Sequence, residues 1–266
     1  RGPSVAVFGP SVSAPKLAAG MTVTTPPVAL IIPALNEQDS IGRVVGDLPR
    51  DLIYDIIVVD NGSTDDTARR AIDAGARVVR EPRRGYGQAC LTGIEAVQDE
   101  AAVIVFVDGD YSDDPREVAQ ILAPIIANEA DLVIGSRVLG QHEWGALMPQ
   151  QRFGNALATL LIRWMYGVRF TDLGPFRAIR RDALTRLDMA DRDYGWTVEM
   201  QVKAARRGLR SVEVPVSYRR RLAGESKVAG TISGSCRAGW KIIATIFRYA
   251  RQQDGQQLPA SSSLPS

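Results

Sequence analysis

Five short, nearly continuous apolar runs, each followed by a segment of helical character, constrain this chain more than any other feature. They are Val28–Ile32, Tyr54–Val59, Ala76–Arg80, Val103–Val107 and Leu132–Ile134. A strand with one wet face alternates apolar and polar residues, so runs without alternation need cover on both faces. The intervening patterns predict helices over about 36–48, 66–74, 88–98 and 115–128. The expected fold class is therefore α/β, a mainly parallel sheet flanked by helices. Polar residues gather where the runs end: Asp60 to Asp65, Asp108 with Asp110, and Gly135-Ser136-Arg137. Ligands of open α/β sheets bind at that end of the strands.

Past Arg137 the pattern reads as a loop over 140–150, a helix to about Met165, a strand near Phe176–Ile179, a helix near Val198–Arg206 and a strand over Val212–Val216. This half extends the same sheet, giving one domain over 28–251. Residues 1–27 are rich in Pro, Ser, Ala and Gly and do not form a secretory signal; they read as a disordered or artificially added extension, with Met21 as the natural start. Residues 252–266 read as a disordered tail. No apolar run is long enough to cross a bilayer, since Ala156–Val168 is short and interrupted by Arg163.

The balance of 32 basic and 30 acidic residues leaves a charge of +2, too small to imply a nucleic-acid partner. Two distant cysteines and a single histidine, His142, exclude a disulfide framework and a His-rich zinc site, and fit a reducing cytosol. The stretch VIVFVDGDYSDDP, Val103–Pro115, is the most informative. Asp113 and Asp114 beside Pro115 suffice to start a helix, so Asp108 and Asp110 are surplus to it. Clustered carboxylates suit a hard cation, Mg²⁺ or Mn²⁺, and such a cation commonly holds substrate phosphates. Gly85-Tyr86-Gly87-Gln88-Ala89-Cys90 lacks the third glycine of a dinucleotide fingerprint and does not follow the first strand, and no phosphate-loop signature occurs. Asp60 and Asp65 taken alone read first as caps of the following helix.

In order, LIIPALNE (30–37), IIVVDNGSTDDT (56–67), RRGYGQA (83–89), VFVDGD (105–110) and GSR (135–137) resemble the motifs of family 2 glycosyltransferases of the GT-A fold. DLGPFRAIRRDAL (172–184) and SYRRRLAGESKVAGT (217–231) are similar to the dolichol- or polyprenol-phosphate sugar transferase branch. The resemblance implies that Pro33, Asn36, Glu37, Asp60, Gly85, Gln88 and Asp108 bind a nucleotide diphospho-sugar, UDP- or GDP-linked. Asp108 and Asp110 match the metal-binding pair, with Asp110 the direct ligand. Two positions depart from the pattern: Leu35 replaces a common aromatic residue, and Ser112 a Gln that assists the metal.

On the acceptor side, Arg137, Arg219, Arg221, Ser226 and Lys227 suit a phosphate. A hydroxyl acceptor would require a base, for which Asp172 and Glu199 are candidates, each also readable as structural. The leading expectation is metal-dependent, inverting transfer to polyprenyl or dolichyl phosphate in the cytoplasm. Alternatives are a soluble transferase acting on a small phosphorylated or hydroxylated acceptor, and a non-catalytic nucleotide-sugar sensor. Over 237–251, Arg237, Lys241, Arg248 and Arg251 fall opposite Trp240, Ile243, Ile246 and Phe247. This basic amphipathic pattern suits either peripheral membrane contact or packing on the domain itself.

Overall fold

The computed structural model describes residues 6–7, 26–222 and 243–249. The expected α/β architecture is present: among the described residues eight strands form one sheet, ordered β1-β8-β6-β7-β5-β2-β3-β4. The strands are β1 (Ala6–Val7), β2 (Val28–Ala34), β3 (Asp55–Asp60), β4 (Arg77–Arg80), β5 (Val103–Phe106), β6 (Leu132–Ser136), β7 (Arg177–Arg180) and β8 (Ser211–Pro215). Only β7 runs antiparallel to its neighbours, β5 and β6. The strands that follow Arg137 thus join the same sheet.

Alternate residues of β2 show why its sequence is apolar throughout. Val28, Leu30 and Ile32 face a core shared with α1 (Ile41–Gly46), α2 (Thr67–Asp73) and α4 (Val118–Ile126). Ala29 and Ile31 face the opposite core, under α3 (Tyr86–Ala96), α5 (Pro149–Tyr166), α6 (Arg181–Leu187) and α7 (Trp196–Arg206). Helices on both faces bury all of β2 but the half-buried Pro33.

The order of formation along the chain runs outward from β2 through β3 to β4, then reverses with β5 on the other side of β2. The crevice beyond the C-terminal ends of β2 and β5 is therefore a topological switch point, where α/β sheets place ligands.

Three elements differ from the sequence-based expectation. Ala6 and Val7, in the stretch expected to be disordered, pair in parallel with Val212 and Glu213 at the open edge of β8. The helix expected from residue 36 begins only at Ile41, because Asn36 takes a left-handed conformation, φ 51°. Its side-chain Oδ1 accepts from the Thr64 N–H at 2.8 Å, while the Glu37 N–H donates to Thr67 Oγ1 at 2.8 Å. These bonds hold the segment as a turn against the loop after β3. Finally α6, too short to show a clear period, follows β7 directly.

Leu30 lies fully buried mid-strand. Leu30→Ala is expected to lower the unfolding free energy by about 3 kcal/mol in urea denaturation, the ordinary cost of a core cavity.

Candidate active site

β5 ends at Phe106, and the chain leaves the sheet through Val107 into Asp108. The Tyr86 hydroxyl, from the first turn of α3, donates to Asp108 Oδ1 at 3.0 Å. Two residues on, Asp110 Oδ1 accepts from the Ser112 N–H at 2.9 Å. Its Oδ2 lies 3.0 Å from Arg221 Nη1. The same guanidinium reaches across to Glu37 Oε1, 2.5 Å from Nη2. Arg221 is placed by backbone pairing: Arg219 N–H donates to Ser112 O at 2.8 Å and Leu222 N–H to Asp110 O at 3.3 Å.

These groups border an open cleft of about 360 Å³. Pro33 lines it from β2 and Leu35 and Glu37 from the turn after it, Asn61 from the loop after β3, and Gly85 and Tyr86 from the start of α3. Asp193 and Tyr194, before α7, close another side. Ser40 ties the first wall to the acidic loop, its hydroxyl donating to Gly109 O at 2.7 Å.

Burial, and then the charge of Asp110, push the Asp108 carboxyl up to about 7, against the opposing effects of Tyr86, Arg221 and Arg137. A carboxyl held protonated near neutral pH marks a place short of positive charge. Asp113 sharpens the point. It is 1% exposed, and neither of its oxygens has a hydrogen-bond partner; the buried Ser112 hydroxyl is likewise unpartnered. Burial and then the nearby Asp108 push its carboxyl well above the carboxylate range. Oxygen donors around a guanidinium already seated between two carboxylates fit a hard divalent cation.

The Gly85–Gln88 loop has its composition for reasons of space. A Cβ on Gly85, at φ +146°, would lie 2.1 Å from the Arg192 carbonyl oxygen, and one on Gly87 2.1 Å from that of Asp191. The glycines let this loop lie flat on the strap before α7, while Gln88 N–H donates to Arg192 O at 2.9 Å.

A family model described as glycosyl transferase family 2 matches residues 29–188. The chain belongs to glycosyltransferase family 2. An uncharacterized glycosyltransferase of Mycobacterium tuberculosis is 39% identical over 225 residues, covering 82% of this chain and 98% of that one. An undecaprenyl-phosphate mannosyltransferase of Micrococcus luteus is 34% identical, covering 78% and 89%. Among solved structures, glucosyl-3-phosphoglycerate synthase from M. tuberculosis in complex with Mn²⁺, UDP-glucose and phosphoglyceric acid is 25% identical. It superposes with a TM-score of 0.69, covering 87% of this chain and 85% of that one.

Of the residues that the family motifs single out, the structure brings Pro33, Glu37, Gly85, Asp108, Asp110 and Arg221 together around the cleft. Asn36 stands exposed at its rim, tied to Thr64. Asp60 and Gln88 do not line it. Asp60 Oδ1 accepts from the Ser63 N–H at 2.8 Å, shaping the turn after β3. Gln88 is buried, donating to Glu81 Oε2 at 2.7 Å and accepting from Arg192.

The two carboxylates foreseen as bases are likewise committed elsewhere. Asp172 is 1% exposed and accepts from Arg137 N, Nε and Nη2 at 2.7–2.8 Å and from Leu173 N–H at 2.7 Å. Glu199, fully buried, accepts from Ala190 N–H, Asp191 N–H and the Tyr249 hydroxyl, and pairs with Lys203 at 2.8 Å. Both positions are those of anchors. Arg137, held by Asp172, stacks its guanidinium 5.0 Å from the Tyr218 ring centroid. Arg219 is turned to Asp114 and lies over Tyr111. Ser226 and Lys227 lie outside the described residues.

Tyr86 and Asp113 were not assigned from sequence. Tyr86 lies inside a quoted motif, but only the fold brings its hydroxyl to Asp108. Asp113 reads as half of a helix cap, whereas Asp114 alone does that work, accepting from Arg116 N–H.

The raised Asp108 pKa has a definite linkage sign. The native state binds the proton more tightly than the unfolded chain, so stability falls as pH rises from 3.8 toward about 7. With a chelator present, Asp108→Asn is expected to be more stable than the parent at about pH 8 and not at about pH 4, read by denaturant titration.

Proposed function

We propose that this chain transfers a hexosyl group, with inversion, from a UDP- or GDP-sugar to a polyprenyl phosphate, with Mg²⁺ or Mn²⁺ held by Asp108 and Asp110. The observation that carries this reading is the bridge Glu37–Arg221–Asp110 in a cleft that Asp108 also lines, with Asp113 nearby buried and without a hydrogen-bond partner. Such a site takes a diphosphate together with a cation. When bound, the cation supplies charge stabilisation to the departing nucleoside diphosphate.

The chain's own residues would do the rest. Pro33, Leu35, Asn61 and Gly85 shape the wall along which the nucleotide lies, and Arg221 presents a fork of donors to phosphate oxygens. In the transfer, an acceptor phosphate oxygen forms a bond to the anomeric carbon as the bond from that carbon to the donor's β-phosphate oxygen breaks. The electron pair leaves with the nucleoside diphosphate. A phosphate monoester is already anionic at neutral pH, so no proton need be removed from it, and positioning is the main demand. The commitment of Asp172 and Glu199 to anchoring agrees with a reaction that uses neither as a base.

The Micrococcus relative supports a lipid-phosphate acceptor. A second reading, a small phosphorylated acceptor, is favoured by the likeness to the phosphoglycerate-binding synthase. Both acceptors carry a phosphate monoester, phosphoglycerate a free hydroxyl besides, and a product assay separates them. Incubation with UDP- and GDP-sugars, Mg²⁺ or Mn²⁺, and either polyprenyl phosphate or phosphoglycerate is expected to yield the glycosylated lipid phosphate by mass. Product from phosphoglycerate alone would select the second reading. Nucleotide-sugar binding without transfer to any acceptor would select a sensor.

Asp110→Ala is expected to lower metal-dependent transfer by about a thousandfold, the scale of losing a main transition-state stabiliser. Lys227→Ala is expected mainly to raise KM for the acceptor. Undiminished turnover in the Asp110 variant would remove the cation assignment.

A further inference from the structure

The long helix α5 is apolar on two opposite sides. One side, with Ala158 and Ile162, is buried in the core. At 100° per residue, Phe153, Leu160 and Trp164 fall within an arc of about 40° facing the other way. They are exposed to 71%, 59% and 77%, values unusual for such side chains on a solvated helix. Arg152 and Arg163, both exposed, flank the stripe on one side.

Charge selects the partner. From Trp144 through Thr171 the chain contains no Asp or Glu, while Arg152, Arg163 and Arg169 are all exposed. Self-association of two such faces would bring like charges together without an acidic partner. An anionic lipid surface complements the arginines, takes the apolar stripe, and suits Trp at the headgroup level. The helical segment 243–249 reinforces this side. The Tyr166 hydroxyl donates to Ile246 O at 2.9 Å, which docks the segment beside the end of α5. Ile246 and Tyr249 are buried against the domain, and Phe247 and Arg248 remain exposed. The apolar side foreseen as lipid-facing there is thus partly spent on packing.

We propose that the outer face of α5 is a membrane-docking surface that seats the protein on anionic lipid. This goes beyond the acceptor reading and does not depend on it, since binding is measured without donor or transfer. No described helix is long and apolar enough to cross a membrane, so the attachment is interfacial.

The full chain is to be sedimented with vesicles of phosphatidylcholine alone and of phosphatidylcholine with phosphatidylglycerol. Binding is expected to the anionic vesicles only, weakening as salt is raised. The double variant F153S/W164S is expected to bind about tenfold more weakly with an unchanged thermal unfolding profile, and R163E to lose binding likewise. Trp164→Phe is expected to remove most of the blue shift in tryptophan emission on binding. Three results would overturn the proposal: no binding to anionic vesicles, binding that the double variant leaves unchanged, or a lipid-free dimer that the double variant converts to monomer.

Discussion

Two carboxylates one glycine apart, delivered by a buried strand into a partly dry crevice, are the constraint on which the structure depends. Charges of like sign at such spacing repel by several kcal/mol once water is thinned out. Something must answer them. Arg221 does so from far along the chain, and Tyr86 does so with a hydroxyl proton. Neither lies on β5, so the acidic pair is tolerable only when the sheet, the start of α3 and the 218–222 segment are all in place.

Much of the polar machinery around the pair serves that placement. Glu213, inside β8, accepts from the Thr171 and Asp172 N–H groups at 2.9–3.1 Å, fixing a loop whose Asp172 side chain in turn fixes Arg137. On the donor side, Asn61 donates to the carbonyls of Glu81 and Arg83 and accepts from Gly85 N–H, while Glu81 takes Gln88 and Thr92. Hydrogen bonds from Arg83 and then Thr92 hold Glu81 down at about 2, so it stays ionised as an anchor. Buried polar groups are costly unless fully satisfied, and satisfied they specify one arrangement. The cleft is thus framed by networks most of whose members, Asn61 and Gly85 apart, do not themselves face it.

This division explains what the sequence made legible. Strands buried on both faces leave continuous apolar runs, and β2, β3, β5 and β6 were readable for that reason. β7, beginning and ending with arginine, hid its antiparallel pairing, since direction leaves no periodic trace. At the site, Asp108 and Asp110 were readable as carboxylates at a strand end, and Glu37 through the family motif. Asp172, Glu199 and Gln88 carry the same chemistry in the same kinds of motif, yet their partners turn inward. A sequence displays which groups can accept a hydrogen bond and not which donor reaches them first. Asp113 is the reverse case: its neighbour Asp114 satisfies the cap, and only the fold shows that Asp113 is left over.

Tyr218 joins the two halves of the site. Its N–H donates to Gln141 O at 2.9 Å and its carbonyl accepts from Glu143 N–H at 2.9 Å, so the 140–150 loop is laced to it. On the other side it bridges to Asp113, and three residues on stands Arg221. Arg220 extends the lacing, its guanidinium donating to Trp144 O at 2.8 Å. One strip of backbone therefore carries the cation that balances the acidic pair and the contacts that hold the loop beside α5.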